Sequence, residues 1–515
     1  MSKEQELAEL HRTIWKIANE LRGSVDGWDF KNYVLGMLFY RFISEDLTRY
    51  ADHLVQEAGE ADFSYEALDD ADAENARGQF LQEKGYFILP SELFQNVHRR
   101  AKDDENLNVT LTNIFRNIEN SANGTPSEPD MKGLFSDLDV NSNKLGATVA
   151  KRNEKLVRIM DAIADMKLGN RIDQTNNDTF GDAYEFLMTM YASNAGKSGG
   201  EFFTPQEVSR LLVKIAIAGR KKLKRAYDPA CGSGSLLLQF KKLLGSDCPE
   251  LFGQEINITT YNLCRINMFL HGMEFSKFDI QHGDTLTDPK HWDDEPFDAI
   301  ASNPPYSIKW EGDANPLLIN DSRFSSAGVL APKSKADLAF TMHMLSWLAT
   351  SGTAAIVEFP GVLYRGGAEQ KIREYLISNN YVDTVIQLPD NLFFGVSIAT
   401  CIIVLKKSKA DSSILFVDAS KQCVKEGNKN KLTEENIETV YQAVMNRKKV
   451  DYFTQLVSND DVLTNGANLS VSSYVEQEDT REKVDIRALN QQIAEMVERQ
   501  NKLKAELDQI IAELN

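Results

Sequence analysis

Past about residue 175 the chain takes on one rhythm. Short apolar runs, "RAYDPA", "ELFGQEI", "FDIQHGD", "FDAIASN", "TAAIVEFP", "DTVIQLPD", "ATCIIVLKK" and "SILFVDAS", alternate with stretches of helical, amphipathic period. That alternation predicts an α/β fold, a doubly wound and mostly parallel sheet flanked by helices. Open sheets of this kind bind ligands outside the carboxyl ends of their strands, so the residues that end each run carry the candidate chemistry.

The first run leads into "YDPACGSGSLLLQF" (227–240), which reads as a strand, a Gly-Ser-Gly turn and a helix. Gly232 and Gly234 allow a sharp turn and a close ligand approach, and the first helical turn offers free N–H groups. The dinucleotide spacing GxGxxG is absent, because Leu237 stands at the third glycine position, and hydride transfer is disfavoured. About 20 residues on, Glu255 ends the next strand, where a carboxylate can accept both hydroxyls of a ribose. Asp284 ends the third, placed to accept from an adenine amino group. The fourth ends in "SNPPYS" (302–307). Asn-Pro-Pro is first of all a turn, since proline fixes φ and bars the preceding residue from helical geometry. The same turn holds a side-chain amide and a backbone carbonyl stiffly beside an aromatic ring. Each feature alone has an ordinary structural explanation; in strand order they argue for one ligand.

The series "EFFTP" (201–205), "DPACGSGS" (228–235), Glu255, Asp284 and "NPPY" (303–306) resembles the ordered motifs of S-adenosylmethionine-dependent DNA adenine-N6 methyltransferases of the gamma group. Over nearly the whole chain, and most closely in "VDGWDFKNYVLGMLFYRFISE" (25–45) and "GGEFFTPQEVSRLLV" (199–213), it resembles the modification (M) subunit of type I restriction-modification enzymes. The resemblance implies the class I S-adenosylmethionine-dependent methyltransferase fold, S-adenosyl-L-methionine as cofactor and no metal. It assigns to the cofactor Glu201, Phe202, Phe203, Thr204 and Pro205, near its methionine part, together with Asp228, Pro229, Gly232, Ser233, Gly234, Ser235, Glu255 and Asp284. It further implies that the target adenine is flipped out of the duplex and stacks on Tyr306. Its amino hydrogens would then meet the side-chain oxygen of Asn303 and the carbonyl of Pro304, while Pro305, without an N–H, keeps the loop stiff.

Other chemistries fit less well. A cytosine-C5 methyltransferase needs a thiolate nucleophile, typically in a Pro-Cys pair after the fourth strand, where this chain has NPPY. "AGKSGG" (195–200) is no phosphate loop, since Tyr191 stands where the leading glycine belongs, so the chain is not expected to drive DNA translocation. Methyl transfer to a protein glutamine is the sharper rival, because an Asn-Pro-Pro-Tyr loop offers acceptors to any planar NH2. An inactive scaffold of the same fold is the other, against which the intact NPPY and Glu255 speak.

Residues 5 to about 165 carry apolar positions at helical spacing, as in "ELAELHRTIWKIANELRG" and "FKNYVLGMLFYRFISEDLTRY". We therefore expect an N-terminal all-α domain over 1–165, a catalytic domain over 166–475 and a terminal helix over 476–515. In that helix Ile486, Leu489, Ile493, Met496, Gln500, Leu503, Leu507, Ile510 and Leu514 step by three and four, a coiled-coil seam with a single polar position. A formal charge of −19 argues against DNA binding by the whole surface. The short basic runs "GRKKLKR" (219–225) and "NRKKV" (446–450) read as solvated helix ends or loops. Three strands after NPPY should complete the sheet by about residue 408. The remaining hundred or so residues, a third of them seam, leave little room for a target-recognition domain. Specificity is thus expected on another chain, and the terminal helix is the candidate docking element. The resemblance implies the matching partners: double-stranded DNA, a specificity (S) subunit, a second copy of this chain in an M2S complex, and a restriction/translocase (R) subunit. Neither a signal peptide nor a membrane span is legible, which suggests a cytoplasmic protein. Five scattered cysteines without a CxxC pair read as reduced packing residues. His282 and His343 read as structural, and the polar stretch 308–336 as either a lid or disorder.

Overall fold

The computed structural model describes residues 12, 27–166, 180–181, 183–188, 204–292, 295–393, 395, 397–478 and 486–514. The expectations for residues 6–23 (Arg12 apart), for 195–200 and for Glu201, Phe202 and Phe203 lie outside these. The chain divides into two compact units, Met1–Val475 and Glu476–Asn515.

The sheet of the first unit begins with β1 (Arg225–Asp228), β2 (Glu250–Glu255), β3 (Phe278–His282) and β4 (Phe297–Ser302). It continues through β5 (Leu348–Glu358), β6 (Val382–Gln387), β7 (Cys401–Lys406) and β8 (Ser413–Asp418). Two short strands, β9 (Val424–Glu426) and β10 (Lys429–Lys431), pair with each other as a separate antiparallel ribbon, and β11 (Thr454–Ser458) closes the series. The order across the main sheet is β11-β8-β6-β7-β5-β4-β1-β2-β3. Pairing is parallel except where β7 inserts antiparallel between β5 and β6 and where β11 lies antiparallel on β8. This is the class I methyltransferase arrangement. The sheet does not end by residue 408: β8 and β11 extend it, because "SILFVDAS" and Thr454–Ser458 supply further edges to pair.

Helices cover both faces: α1 (Gly27–Glu57) and α2 (Val149–Ala164) from the N-terminal part, then α3 (Gln206–Ile217), α4 (Ser235–Leu244), α5 (Ile258–Leu270), α6 (Asp337–Trp347) and α7 (Glu434–Asn446). In α1, residues 33–40 are buried all round, which marks a central helix rather than a surface one. Phe39 packs against Phe135 and against Phe269 of α5, with ring centroids 5.5 and 6.1 Å apart. Each such buried side chain contributes about 1.5–3 kcal/mol. Arg41 donates to the carbonyls of Ile163, Ala164 and Met166, capping the end of α2. Arg265, buried in α5, donates to the carbonyls of Pro129, Asp130 and Lys132. The N-terminal helices and one face of the sheet thus share one continuous core running from Tyr33 to Val444. A second core lies on the other face, around Tyr227, Phe297 and α6.

The second unit is the helix α8 (Ile486–Leu514). Its seam is open: Ile486 and Met496 are each 70% exposed, and Leu489, Ile493, Leu503, Leu507 and Ile510 are exposed as well. Among the described residues no helix is long and apolar enough to cross a membrane.

Candidate active site

Strand order reverses between β1 and β4: the chain leaves β1 toward β2 and β3, and leaves β4 toward β5. A crevice opens at such a point, outside the carboxyl ends of the two strands. Asp228 ends β1 and Ser302 ends β4, and the Ser302 hydroxyl donates to Asp228 Oδ1 at 2.7 Å. The N–H of Ala230 donates to the same oxygen at 3.0 Å. Burial pushes the Asp228 carboxyl up to about 7, opposed by the bond from Ser302.

The loop after β1 turns through left-handed glycines, φ 54° at Gly232 and 76° at Gly234. A Cβ on Gly234 would lie 2.7 Å from Cys264 Sγ, so the close packing of this loop on α5 requires glycine. Asn267 of α5 donates to the Ser233 carbonyl at 2.8 Å, the Ser233 and Ser235 hydroxyls lie 3.1 Å apart, and Thr285 donates to the Pro229 carbonyl at 2.5 Å. Cys231 and Cys264 are buried free thiols with sulfurs 3.9 Å apart, as packing residues would be.

Glu255, ending β2, reaches over this loop: its Oε2 accepts from the Gly232 N–H at 3.1 Å and its Oε1 from the Asn257 N–H at 2.8 Å. Burial raises its pKa, and these backbone donors act against that. Asp284, after β3, caps its own turn by accepting from the Leu286 N–H at 2.9 Å. The carbonyls of the next two residues, Thr285 and Leu286, each accept from Arg323 at 2.8 Å. Arg323 belongs to the 308–336 stretch, which forms short 3-10 turns here rather than a disordered loop. It is buried, pairs with Asp321 at 2.7 Å and donates to His343 Nδ1 at 3.1 Å, while His343 Nε2 lies 3.1 Å from the Tyr227 hydroxyl. His282 is bonded to the Ile256 carbonyl, so both histidines are engaged in the framework. A glycine cradle and two strand-end carboxylates fit the adenosyl portion of S-adenosylmethionine by the chemistry of their donor set.

The NPPY loop is held from three sides. The Tyr306 hydroxyl donates to Asn303 Oδ1 at 2.6 Å, and Asn303 Nδ2 donates to Thr204 Oγ1 at 3.0 Å. Ser307, in left-handed geometry at φ 50°, donates its N–H to Asp337 at the start of α6. Pro304 is buried, Pro305 and Tyr306 half-buried, and Pro205 buried at the head of α3. Phe359 and Phe393 flank the Tyr306 ring at 6.1 and 6.4 Å. Burial, with the Glu358 carboxyl nearby, holds the phenol well above its usual pKa, so the hydroxyl stays a donor. The structure therefore brings together Thr204, Asn303 and Tyr306, and separately Asp228, Gly232 and Glu255.

A family model described as "N-6 DNA Methylase" matches residues 175–483, and one described as "HsdM N-terminal domain" matches 10–163. The chain belongs to the N-6 DNA methylase family. It is 47% identical to the methylase subunit of the type I restriction enzyme MpnII of Mycoplasma pneumoniae, across 98% of this chain and 96% of that protein. It is 28% identical to the corresponding MjaVII subunit of Methanocaldococcus jannaschii, across 98% and 83%. Its fold matches the crystal structure of the type I restriction-modification methyltransferase subunit from Streptococcus thermophilus with a TM-score of 0.83 and 36% identity, covering 91% of this chain and all of that one.

In this N-6 DNA methylase family member, residues that sequence reasoning passed over lie around the candidate site. Ser302 was legible as the residue before NPPY, but only the β1/β4 adjacency ties it to Asp228. Phe359, Phe393, Asp337 and Arg323 carry no local motif; each reaches the site through strand order.

Proposed function

We propose that this chain is the methylating subunit of a type I restriction-modification system, transferring a methyl group from S-adenosyl-L-methionine to N6 of an adenine flipped from double-stranded DNA. The observation that carries the reading is the arrangement of Asn303, Tyr306 and Thr204 beside a glycine cradle at the sheet's switch point.

Gly232, Ser233, Gly234, Ser235, Glu255 and Asp284 would hold the cofactor, with Asp228 and Pro229 shaping the cradle, and the family resemblance assigns Glu201, Phe202, Phe203, Thr204 and Pro205 to its methionine part. The bound cofactor supplies an electrophilic methyl group on a sulfonium. Tyr306 offers its face to the extruded base, whose unstacking costs a few kcal/mol. Asn303 Oδ1 and the Pro304 carbonyl accept the two amino hydrogens and draw N6 out of conjugation with the ring, so that its lone pair becomes available. Pro304 and Pro305 keep those acceptors fixed, and positioning of this kind accounts for much of an acceleration that needs no covalent nucleophile. The methylated nitrogen is strongly acidic, so its surplus proton passes to water without a dedicated base.

Sequence selection belongs to a specificity subunit, to which α8 docks through its open seam. An M2S assembly follows from two such chains on one specificity subunit, and a restriction/translocase subunit joins them in the cytoplasm. Transfer of labelled methyl to duplex DNA by the assembled chains tests the reading; label on a protein glutamine instead would favour the alternative substrate.

A further inference from the structure

We infer that the β9–β10 ribbon is a contact surface for the phosphate backbone of duplex DNA beside the extruded base. The inference rests on the DNA reading above. A chain of charge −19 must confine its attraction for phosphate to a small area near the site. Neither basic run flagged in the sequence supplies it. Arg220 spends its guanidinium on the carbonyls of Ala216, Ile217, Asp298 and Ser351, and Arg225 lies over the rings of Phe252 and Phe297. Arg447 is bound to Asp383 and Asp411. Arg225 opens β1 and Asp383 lies at the start of β6, so both runs sit at the amino ends of the parallel strands, opposite the NPPY loop.

The ribbon has the reverse placement. It carries Lys425, Lys429 and Lys431, with Lys421 three residues before β9; the acid within it, Glu426, pairs with Lys431 at 2.8 Å, and Asp390 and Glu207 face it from neighbouring elements. Lys421 and Lys425 are exposed. Asn430 fastens the ribbon to the loop that leaves the carboxyl end of β6: its N–H donates to the Asn391 carbonyl, and its side chain to Asp390 at 2.7 and 2.9 Å. Two residues on, Phe393 meets the Tyr306 ring edge-on. On the other side the field of Lys431 and Lys429 reaches Glu207, three residues past Thr204, the partner of Asn303. The ribbon is thus tied to the NPPY loop along both routes. A two-stranded ribbon also has the cross-section that a major groove admits, which lets its lysines follow the phosphates.

Each phosphate contact contributes about 0.9 to the slope of log K against log salt. Binding of a fluorescein-labelled duplex of arbitrary sequence, by the full chain assembled with its specificity subunit, is titrated over a salt series. Lys421→Ala/Lys425→Ala is expected to make the slope shallower by about 1.8, while Lys448→Ala/Lys449→Ala at the amino ends leaves it unchanged. S-adenosylmethionine titration should be the same for all three proteins, which reports an intact fold. A ribbon variant whose slope stays within about 0.5 of the wild type, or a control variant that lowers it equally, overturns the inference. Loss of the functional reading looks different, because the wild-type assembly would then fail to methylate DNA at all.

Discussion

The Tyr306 hydroxyl donates to Asn303 Oδ1 at 2.6 Å while Asn303 Nδ2 donates to Thr204 Oγ1 at 3.0 Å. The two ends of a carboxamide are nearly the same shape, so only their hydrogen-bond partners decide which faces the substrate. Both partners are hydroxyls, able to donate or accept; in this arrangement Tyr306 donates to the oxygen and Thr204 accepts from the nitrogen, which leaves the oxygen's second lone pair for an amino hydrogen. Tyr306→Phe keeps the stacking face and Thr204→Val keeps the volume, and each should lower single-turnover methylation by about tenfold, the worth of one net hydrogen bond. Because both act through one amide, the double variant should fall well short of the product of the two losses. Multiplicative losses in rapid-quench measurements would show that the residues act separately.

The Asp228–Ser302 bond makes a second prediction, in pH. Asp228 has its folded pKa raised to about 7 from 3.8. Between these values the folded chain binds more protons than the unfolded one, so this group's stabilising contribution is complete below the lower value. It is lost as pH rises toward 7, by up to about 1.4 kcal/mol per pH unit. Asp228→Asn keeps an oxygen for Ser302 and Ala230 but cannot ionise. Scanning calorimetry should find the decline in Tm between pH 5 and 7 shallower in the variant than in the wild type, and equal slopes would refute the assignment.

Arg323 links the stretch after NPPY to the turn that carries Asp284. Removing a buried, hydrogen-bonded charge costs about 3–5 kcal/mol. Arg323→Ala should lower Tm and, by loosening the Asp284 turn, weaken S-adenosylmethionine binding. Arg323→Lys should regain part of the Tm without the affinity, since one ammonium cannot reach the carbonyls of both Thr285 and Leu286 in the guanidinium's geometry. Unchanged calorimetric affinity in both variants would separate this arginine from the cofactor site.

Much of this was legible in the chain itself. The strand runs, the cradle at Gly232 and Gly234, and the strand-end carboxylates follow from local pattern, because period and turn chemistry are local properties. Neighbourhood across the sheet is not. That β7 lies between β5 and β6, that Asp228 faces Ser302, or that Asn430 meets Asp390 depends on strand order, which no single run encodes. Arg323 was hidden for a related reason: its stretch is polar and rich in turn residues, and only its burial against the carbonyls after β3 distinguishes it from a solvated loop. Asp284 shows the opposite limit: the sequence reads it as the end of the third strand, whereas it stands two residues past β3 and its carboxylate caps its own turn.

The open seam of α8 predicts a partner. Ile493→Asp/Leu503→Asp should abolish co-purification with the specificity subunit and leave S-adenosylmethionine titration unchanged, and deletion from about residue 480 should do the same. Sequence-specific methylation by the truncated chain would contradict a docking role.

The proposed reaction turns on Asn303 holding the amino group of an adenine for methyl transfer. The direct measurement is the yield of N6-methyladenine in duplex DNA, from methyl-labelled S-adenosylmethionine, by the chain assembled with its specificity subunit. The wild type should yield labelled N6-methyladenine, and Asn303→Ala should do so at a rate at least about 100-fold lower, the scale on which removal of one preorganised polar group acts. A fully active Asn303→Ala assembly would contradict it.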